Sequence, residues 1–474
     1  MLKVTGKKFK TKFSGAIALG ILMLLLLAGC ARDSNENVEG IWEGTLKFPG
    51  VEMKVIFKIS RTPEGELKAF LIRPEMGEEE MPFTRVMVEG EHLQLEIAPG
   101  EVLFDGHLGP EESTLAGEWK QAQFSHPLVL KRVSEVFKFR RPQEPKPPYP
   151  YDEQEIFYVN QKALCRLVGT LTWPRKGWPC PAVLLISGGG GQDRDGMIMG
   201  HRPFLVLADY LTRQGIAVLR VDDRGVGASI GDRTQATSED YAQDVLAGIQ
   251  FLKNRPAIDP DRIGLIGHSE GGIVASLAAA QSSDVAFIVM LASPGLPGDE
   301  YNYQFEQSMS RVLGRSEEAI ASIIAVQRQI FAVLKEEKDI GVARTRLVQI
   351  LRELDPPMPE DMIESNLRRY LSPWFRYSIA HDPGETLKKV KCPVLALFGE
   401  KDFQVLTEGN LEAVKKALKS GRNPDHRVEA LPGLNHLFQT APTGAPSEYA
   451  KIEQTIAPKA LDLIAAWVLE HTKK

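Results

Sequence analysis

A serine set in Gly267-His268-Ser269-Glu270-Gly271 is placed to act as a nucleophile. The apolar run Ile263-Gly264-Leu265-Ile266 precedes it, and a small-residue run over 273–280 follows. That order reads as buried strand, sharp turn and packed helix. G-x-S-x-G in such a context is a nucleophile elbow. The turn is strained, side chains at the glycine positions would clash, and the following helix aims its amino-terminal dipole at the reacting centre. Glycine-rich turns at strand ends also produce the pattern by chance, so its partners decide.

A serine hydroxyl needs a base, and the base needs an orienting acid. Chains with this elbow run in the order Ser, then Asp or Glu, then His. The apolar stretch 394–399 reads as a late buried strand, and Glu400-Lys401-Asp402 follows it directly. Asp402 is the candidate acid and Glu400 its local alternative. A solvated charged turn would show the same three residues. The stretch 426–431 reads as the next strand, with Pro432-Gly433-Leu434-Asn435-His436 as its loop. Among nine histidines, His436 combines the right order with the right kind of loop. His268 lies within the elbow and points away, His426 precedes a strand, His381 falls in an inserted region and His201 starts a helix.

The oxyanion of a tetrahedral intermediate needs backbone donors, one from the residue after the nucleophile and one from the loop after an earlier strand. The Glu270 amide fits the first role. Residues 182–186 read as the earlier strand and Ser187-Gly188-Gly189-Gly190-Gly191 as its loop. Gly189 is the candidate second donor, with Gly190 next. A Walker-type phosphate loop is disfavoured, because Gly-Lys-Ser/Thr is missing. A dinucleotide loop is disfavoured because the G-x-G-x-x-G spacing is missing.

These segments resemble the α/β-hydrolase superfamily and, within it, bacterial serine carboxylesterases of the EstD type. The resemblance is carried by residues 187–196, by Asp222-Asp223-Arg224-Gly225-Val226-Gly227-Ala228-Ser229, by Gly267-His268-Ser269-Glu270-Gly271-Gly272, by Phe398-Gly399-Glu400-Lys401-Asp402 and by Gly433-Leu434-Asn435-His436. It covers about residues 151–474 and matches the layout of a preceding β domain. It implies hydrolysis of a small-molecule carboxylic ester, of small to medium acyl chain, through an acyl-enzyme, with no metal or organic cofactor.

The first 29 residues read as a targeting segment. A lysine-rich start precedes an apolar run over 16–28, short of the roughly 20 residues that span a bilayer. The run ends Leu27-Ala28-Gly29-Cys30, which resembles the lipobox of bacterial lipoproteins. That resemblance implies cleavage before Cys30, lipid on its sulfur and an extracytoplasmic, membrane-anchored protein, since two or more acyl chains anchor stably. In a Gram-negative cell, Ala31 rather than Asp after Cys30 leans toward the outer membrane. An ordinary secretory signal with a chance cysteine is the plainer alternative.

The remaining chain, about 445 residues, fits two or three domains. A net charge of −5 gives no reason to expect nucleic acid. Three cysteines remain after Cys30: Cys165, Cys180 and Cys392. An odd number leaves at least one free thiol. No Cys/His cluster suggests a metal site. Oligomeric state is not legible.

After a tether at 30–39, residues 40–135 show short alternating strands separated by turns, the pattern of a small antiparallel barrel or sandwich. It carries no chemical constellation and reads as spacer or binding module. Proline density at 136–150 predicts a stiff extended linker. From 151 to 474, strands alternate with helices, predicting a mainly parallel sheet with catalytic groups at strand carboxyl ends. The expected fold class is therefore α/β: an α/β-hydrolase sheet with an inserted helical cap, preceded by a small antiparallel β domain.

The cap is predicted at about 297–388, because so long an interruption exceeds a connecting loop. Its expected helices cover 319–334, 343–354 and 359–370. Trp374 and Phe375 are candidate substrate-pocket walls. Met309, Leu313, Ile330 and Leu334 are further candidates, although helical apolar stripes are more often core. The clusters 193–195 and 222–224 are expected to pair with each other and hold the glycine loop, rather than orient substrate. Rival functions are a peptidase or amidase on the same triad, an acyl-thioester hydrolase, and a non-catalytic surface lipoprotein.

Overall fold

The computed structural model describes residues 38–48, 51–76, 80–97, 102–121, 124–354 and 356–473. The proposed signal, Cys30 and most of the tether lie outside the described residues. The chain divides into two compact units, the first made of residues up to Gly44 with Ile56–Leu71 and Met81–Val136, the second of Thr45–Val55, Ile72–Glu80 and Phe137–Lys474.

The first unit is organised by a nine-stranded sheet: β1 (Gly40–Phe48), β2 (Val51–Arg61), β3 (Leu67–Ile72), β4 (Met81–Pro82), β5 (Arg85–Glu89), β6 (His92–Ile97), β7 (Val102–Leu108), β8 (Thr114–Gln121) and β9 (Phe124–Val133). Their order is β4-β3-β2-β1-β9-β8-β7-β6-β5, so the meander comes round to pair its last strand with its first. The β1–β9 pair and the hairpins from β5 to β9 run antiparallel. All nine strands thus form one continuous sheet, whose end strands β4 and β5 follow each other in the chain. Strict alternation turns one face inward, as Leu93, Leu95 and Ile97 of β6 show. Phe57 packs against Phe104 and Phe83 at ring separations of 5.1 and 5.3 Å, with Trp119 beyond.

The second unit carries an eight-stranded sheet: β10 (Tyr151–Asn160), β11 (Cys165–Pro174), β12 (Cys180–Ile186), β13 (Ala217–Val221), β14 (Ile258–His268), β15 (Ile288–Leu291), β16 (Val394–Gly399) and β17 (His426–Leu431). Its order is β10-β11-β13-β12-β14-β15-β16-β17. The β10–β11 and β11–β13 pairs are antiparallel, and every later pair is parallel. Strands β12, β15 and β16 are buried along their whole length, as a sheet covered on both faces requires. Alternate residues serve opposite faces. Ala182, Leu184 and Ile186 meet the helices Ser238–Lys253 and Glu270–Gln281. Val183 and Leu185 meet Pro203–Arg213 and Pro458–Glu470.

Between β15 and β16 the chain leaves the sheet for the predicted insertion. It holds the helices Gly298–Val312, Glu317–Glu336, Ile340–Arg352, Glu360–Tyr370, Pro373–Ala380 and Pro383–Leu387. The apolar pattern anticipated the second, third and fourth of these. The first has only scattered apolar positions, and the last two are too short to show a period. The insertion has its own core around Phe331, Leu347, Leu367 and Ile379.

The predicted linker is a correction. Residues from Phe137 onward belong to the second unit. The Arg141 guanidinium donates to the carbonyls of Ala450 (2.8 Å), Gly200 (3.0 Å), Met199 (3.2 Å) and Ile452 (3.3 Å). Gln143 donates to Ile456 O at 2.7 Å and accepts from the Thr455 and Ile456 amides. Proline content sets the stiffness of a segment and says nothing of the acceptors its arginine and glutamine will find. A hydrogen bond to a charged donor contributes about 1.5–3 kcal/mol, and the bonds of one guanidinium are not additive. Arg141→Ala is therefore expected to destabilise the second unit by roughly 2–4 kcal/mol. Urea denaturation followed by tryptophan fluorescence checks this; an unchanged midpoint would mean the segment is merely laid on the surface.

Candidate active site

Ser269 follows β14 directly and adopts φ 54°, ψ −121°, a strained conformation for a side-chain-bearing residue. The flanking glycines are dictated by space. A Cβ on Gly267 would run into the Gly271 backbone, and a Cβ on Gly271 into the carbonyls of Ile186 and Ser187 at the end of β12. The turn is held by the Ser269 amide donating to Leu291 O at 2.8 Å. The helix Glu270–Gln281 starts at the next residue, which puts its positive end beside the hydroxyl.

Asp402 follows β16 and His436 follows β17, two strands paired with each other and lying beyond β15 from the elbow. Both residues are buried. His436 Nδ1 lies 2.8 Å from Asp402 Oδ2, and Asp402 Oδ1 accepts from the amides of Gln404 (2.7 Å) and Val405 (2.9 Å). The carboxylate is thus fixed before it orients the ring. Gly399 makes the approach feasible: a Cβ there would stand 2.5 Å from the Asn435 and Leu434 carbonyls. Glu400, the alternative acid, accepts instead from the Gly433 amide at 2.8 Å.

His268 has a structural part. Its Nε2 lies 2.9 Å from His436 O, and the two rings are 4.7 Å apart. The residue before Ser269 is therefore bonded to the loop that holds His436. Burial, and then the neighbouring His436, pull the His268 pKa down to about 3, so it remains neutral and donates. The Ser269 hydroxyl opens onto a pocket of about 390 Å³ and has no hydrogen-bond partner among the described residues. A serine–histidine bond is often long until substrate is seated.

The glycine loop lies against this elbow. A Cβ on Gly188 would meet Ser269 Cβ at 3.3 Å, and one on Gly189 would meet Glu270 Oε2 at 2.9 Å. Gly190 and Gly191 have φ of 104° and 72°, which only glycine adopts freely. Both ends of the loop are tied to one carboxylate. Asp223 accepts from Ser187 Oγ at 2.7 Å and from the Gln192 amide at 2.8 Å. Burial raises its pKa to about 6, against those hydrogen bonds, and the negative Glu270 and Asp244 push the same way.

The charged clusters pair across to each other only in part. Arg194 grips Asp222 through Nε (3.1 Å) and a terminal nitrogen (2.8 Å). Asp195 instead pairs with Arg220, and Arg224 with Asp244 at 2.7 Å. Arg220 and Asp244 lie in a strand and a helix, where nothing in the sequence marks them.

Glu270 was singled out for its backbone amide, yet its side chain also matters. Oε1 accepts from Ser238 Oγ at 2.6 Å and from Trp374 Nε1 at 2.8 Å. Burial raises its pKa. Trp374 thus lines the pocket and is tied to the nucleophile's helix. Phe375 also lines the pocket, but it is chiefly cap core, packed on Phe331 and Tyr370. Met309, Leu313, Ile330 and Leu334 are absent from the pocket wall; Ile330 and Leu334 pack in the cap core, and Leu313 is exposed. Tyr301 and His381 do line the pocket. Neither was predicted, because nothing in helical periodicity distinguishes an aromatic facing a pocket from one facing a core. Among the described residues no group of side chains could hold a metal ion, and no helix is long and apolar enough to cross a membrane. Cys165, Cys180 and Cys392 are unbridged.

Residues 195–441, just over half of the chain, match the family described as serine aminopeptidase, S33. The chain belongs to that family and is an α/β hydrolase. It is similar to esterase EstD of Thermotoga maritima, 27% identical over 68% of this chain and 69% of that one. It is also similar to thiohydrolase aneE of Aspergillus aculeatus, 30% identical over 26% of this chain and 38% of that one. A solved esterase from Pyrococcus furiosus aligns over 70% of this chain and all of its own, at 16% identity and a TM-score of 0.41.

Asp223 generates a prediction. Its carboxyl titrates at about 6 when folded against 3.8 for the ordinary group. The folded state binds more protons between those values, so the contribution is present below the lower one and is lost as pH rises through the upper. The loss is on the order of 3 kcal/mol at most. Unfolding free energies of the Asp223→Asn variant should gain on the wild type as pH rises from about 4 to about 6.5. A wild-type-minus-variant difference that stays level across that range would refute it.

Proposed function

We propose that the chain is a serine carboxylesterase acting on small-molecule esters of small to medium acyl chain. The observations that support this reading are the fixed Asp402–His436 pair, the bond from His268 to the His436 carbonyl, and the strained turn that holds Ser269. Ser269 attacks the ester carbonyl while His436 takes its proton. The oxyanion is held by the amides of Glu270 and Gly189. His436 then gives the proton to the departing alcohol, and Asp402 stabilises the charged ring. Water, activated by the same histidine, releases the acid from Ser269. The name of the relative matched over 68% of the chain, an esterase, supports the choice of ester.

A second reading, peptide or amide hydrolysis, is favoured by one observation. The Glu270 carboxyl faces the pocket, where it would suit a substrate amine, and the family description names an aminopeptidase.

A fluorophosphonate probe should label the wild type and leave Ser269→Ala unlabelled. Rates on 4-nitrophenyl acyl esters should fall by about 10⁴ or more in Ser269→Ala and His436→Ala, and also steeply in Asp402→Asn. Persistent labelling of Ser269→Ala would remove the nucleophile assignment. Amino-acid anilides turned over faster than the esters would favour the second reading.

We further propose that Cys30 carries the lipid anchor of an extracytoplasmic protein, on the strength of the lysine-rich start, the apolar run and Leu27-Ala28-Gly29-Cys30. Cys30→Ser is expected to move the protein from the membrane to the soluble fraction on detergent-free fractionation of the expressing cells. Unchanged membrane association of the variant would count against it.

A further inference from the structure

Beside the catalytic pocket lies a second, more open cleft of about 640 Å³. The two share Gly190 and Trp374 in their walls, so the cleft begins where the oxyanion loop ends. Its lining contains Arg233 and Arg368 and no acidic side chain. Arg233 donates to Gly190 O at 3.1 Å, which draws its guanidinium onto that loop. Arg368 stands one turn from Glu364, whose carboxylate is engaged by Arg344. Among the described residues neither Arg233 nor Arg368 forms an ion pair. The next residue, Arg369, lines the catalytic pocket itself, its guanidinium over the Phe375 ring at 5.1 Å.

Positive charge is therefore gathered around Trp374, in the wall that the cleft shares with the pocket of Ser269. The contrast with the inner pocket is sharp, since the only carboxyl in its wall, that of Glu270, already has two donors. A neutral ester leaves these guanidinium groups hydrated. An ester with a carboxylate at its far end brings them a planar anion that a guanidinium can take with two parallel hydrogen bonds.

We infer that the cleft is a subsite for an anionic group, and that the preferred substrates are esters carrying a carboxylate remote from the scissile bond. This rests on the esterase reading above and narrows its substrate class. The carboxylate can sit on the acyl or the alcohol side, and the two need separate arms.

The test compares kcat/KM within matched pairs, on the purified protein. One pair is 4-nitrophenyl hexanoate and the 4-nitrophenyl half-ester of adipic acid. The other is phenyl butyrate and the butyrate ester of 3-hydroxybenzoic acid. In one of the pairs the anionic member should be favoured by about tenfold, and the preference should shrink as salt rises from about 50 to about 500 mM. Arg233→Gln and Arg368→Gln should each lower the anionic-to-neutral ratio, and together bring it to about one. Reading a ratio cancels any general effect of Arg233 on the Gly190 loop. Ratios near or below one in both wild-type pairs, or a preference that survives the double variant, overturn the subsite while leaving the esterase reading standing. No turnover of either neutral ester would instead strike at that reading, and the subsite would fall with it.

Discussion

The second unit depends on how closely backbones can approach at the carboxyl ends of β12, β14 and β16. Gly271 lets the nucleophile's helix start against the end of β12. Gly399 lets the His436 loop lie on the end of β16. Without a Cβ at these points, main-chain atoms meet at distances no side chain would permit. The His268–His436 contact exists only because both approaches are made. The Ser269 turn and the Asp402–His436 pair are thus positioned by backbone packing, and side-chain hydrogen bonds then set the last rotations. Groups tied by backbone contacts to the ends of core strands are held more precisely than groups on free loops.

That precision has an electrostatic cost, concentrated beneath the glycine loop. Asp244 is buried, Asp223 and Glu270 are partly so, and desolvation raises the pKa of all three. Arg224 pairs with Asp244, while Asp223 and Glu270 are met by hydroxyl, amide and indole donors rather than by a cation. Neutral donors satisfy a carboxylate's geometry without fully offsetting its desolvation. The acids therefore act as acceptors that organise backbone. Asp223 is the clearest case, because Ser187 and Gln192 bracket the four glycines and both end on it. A run of four glycines is floppy in isolation, and fixing its two ends is the least that would present its amides in one arrangement.

The sequence made legible what local chemistry decides. Strand, turn and helix around Ser269 were readable because glycine spacing has a steric cause that acts within five residues. Asp402 and His436 were readable because each follows a core strand in a fixed order. The order of the first sheet was half readable: alternation gave strands facing one core, but pairing of β1 with β9 is a long-range event. What stayed hidden depends on partners far along the chain. Arg141 finds its carbonyls more than fifty residues away, and some beyond three hundred. Proline content could not report that. Likewise Ile330 and Leu334 share a helical stripe whether they face a pocket or a core, and the folded cap chose core.

One residue joins two of these levels. The amide proposed for the oxyanion and the carboxyl that receives Trp374 Nε1 both belong to Glu270. The cap therefore hangs, at this point, from the residue next to the nucleophile. Any shift of the helix Pro373–Ala380 that pulled Trp374 away would leave a buried carboxyl with Ser238 as its remaining donor, at a cost of about 1–3 kcal/mol. The two groups are close enough for that strain to be felt at the oxyanion position, because Gly189 packs against both Glu270 and Trp374. The position of Trp374 and that of the glycine loop are thus linked through the Glu270 side chain. This also explains why the pocket wall draws on Trp374, whose indole offers a donor on an apolar body. Phe375 next to it, lacking that donor, packs mainly into the cap's own core.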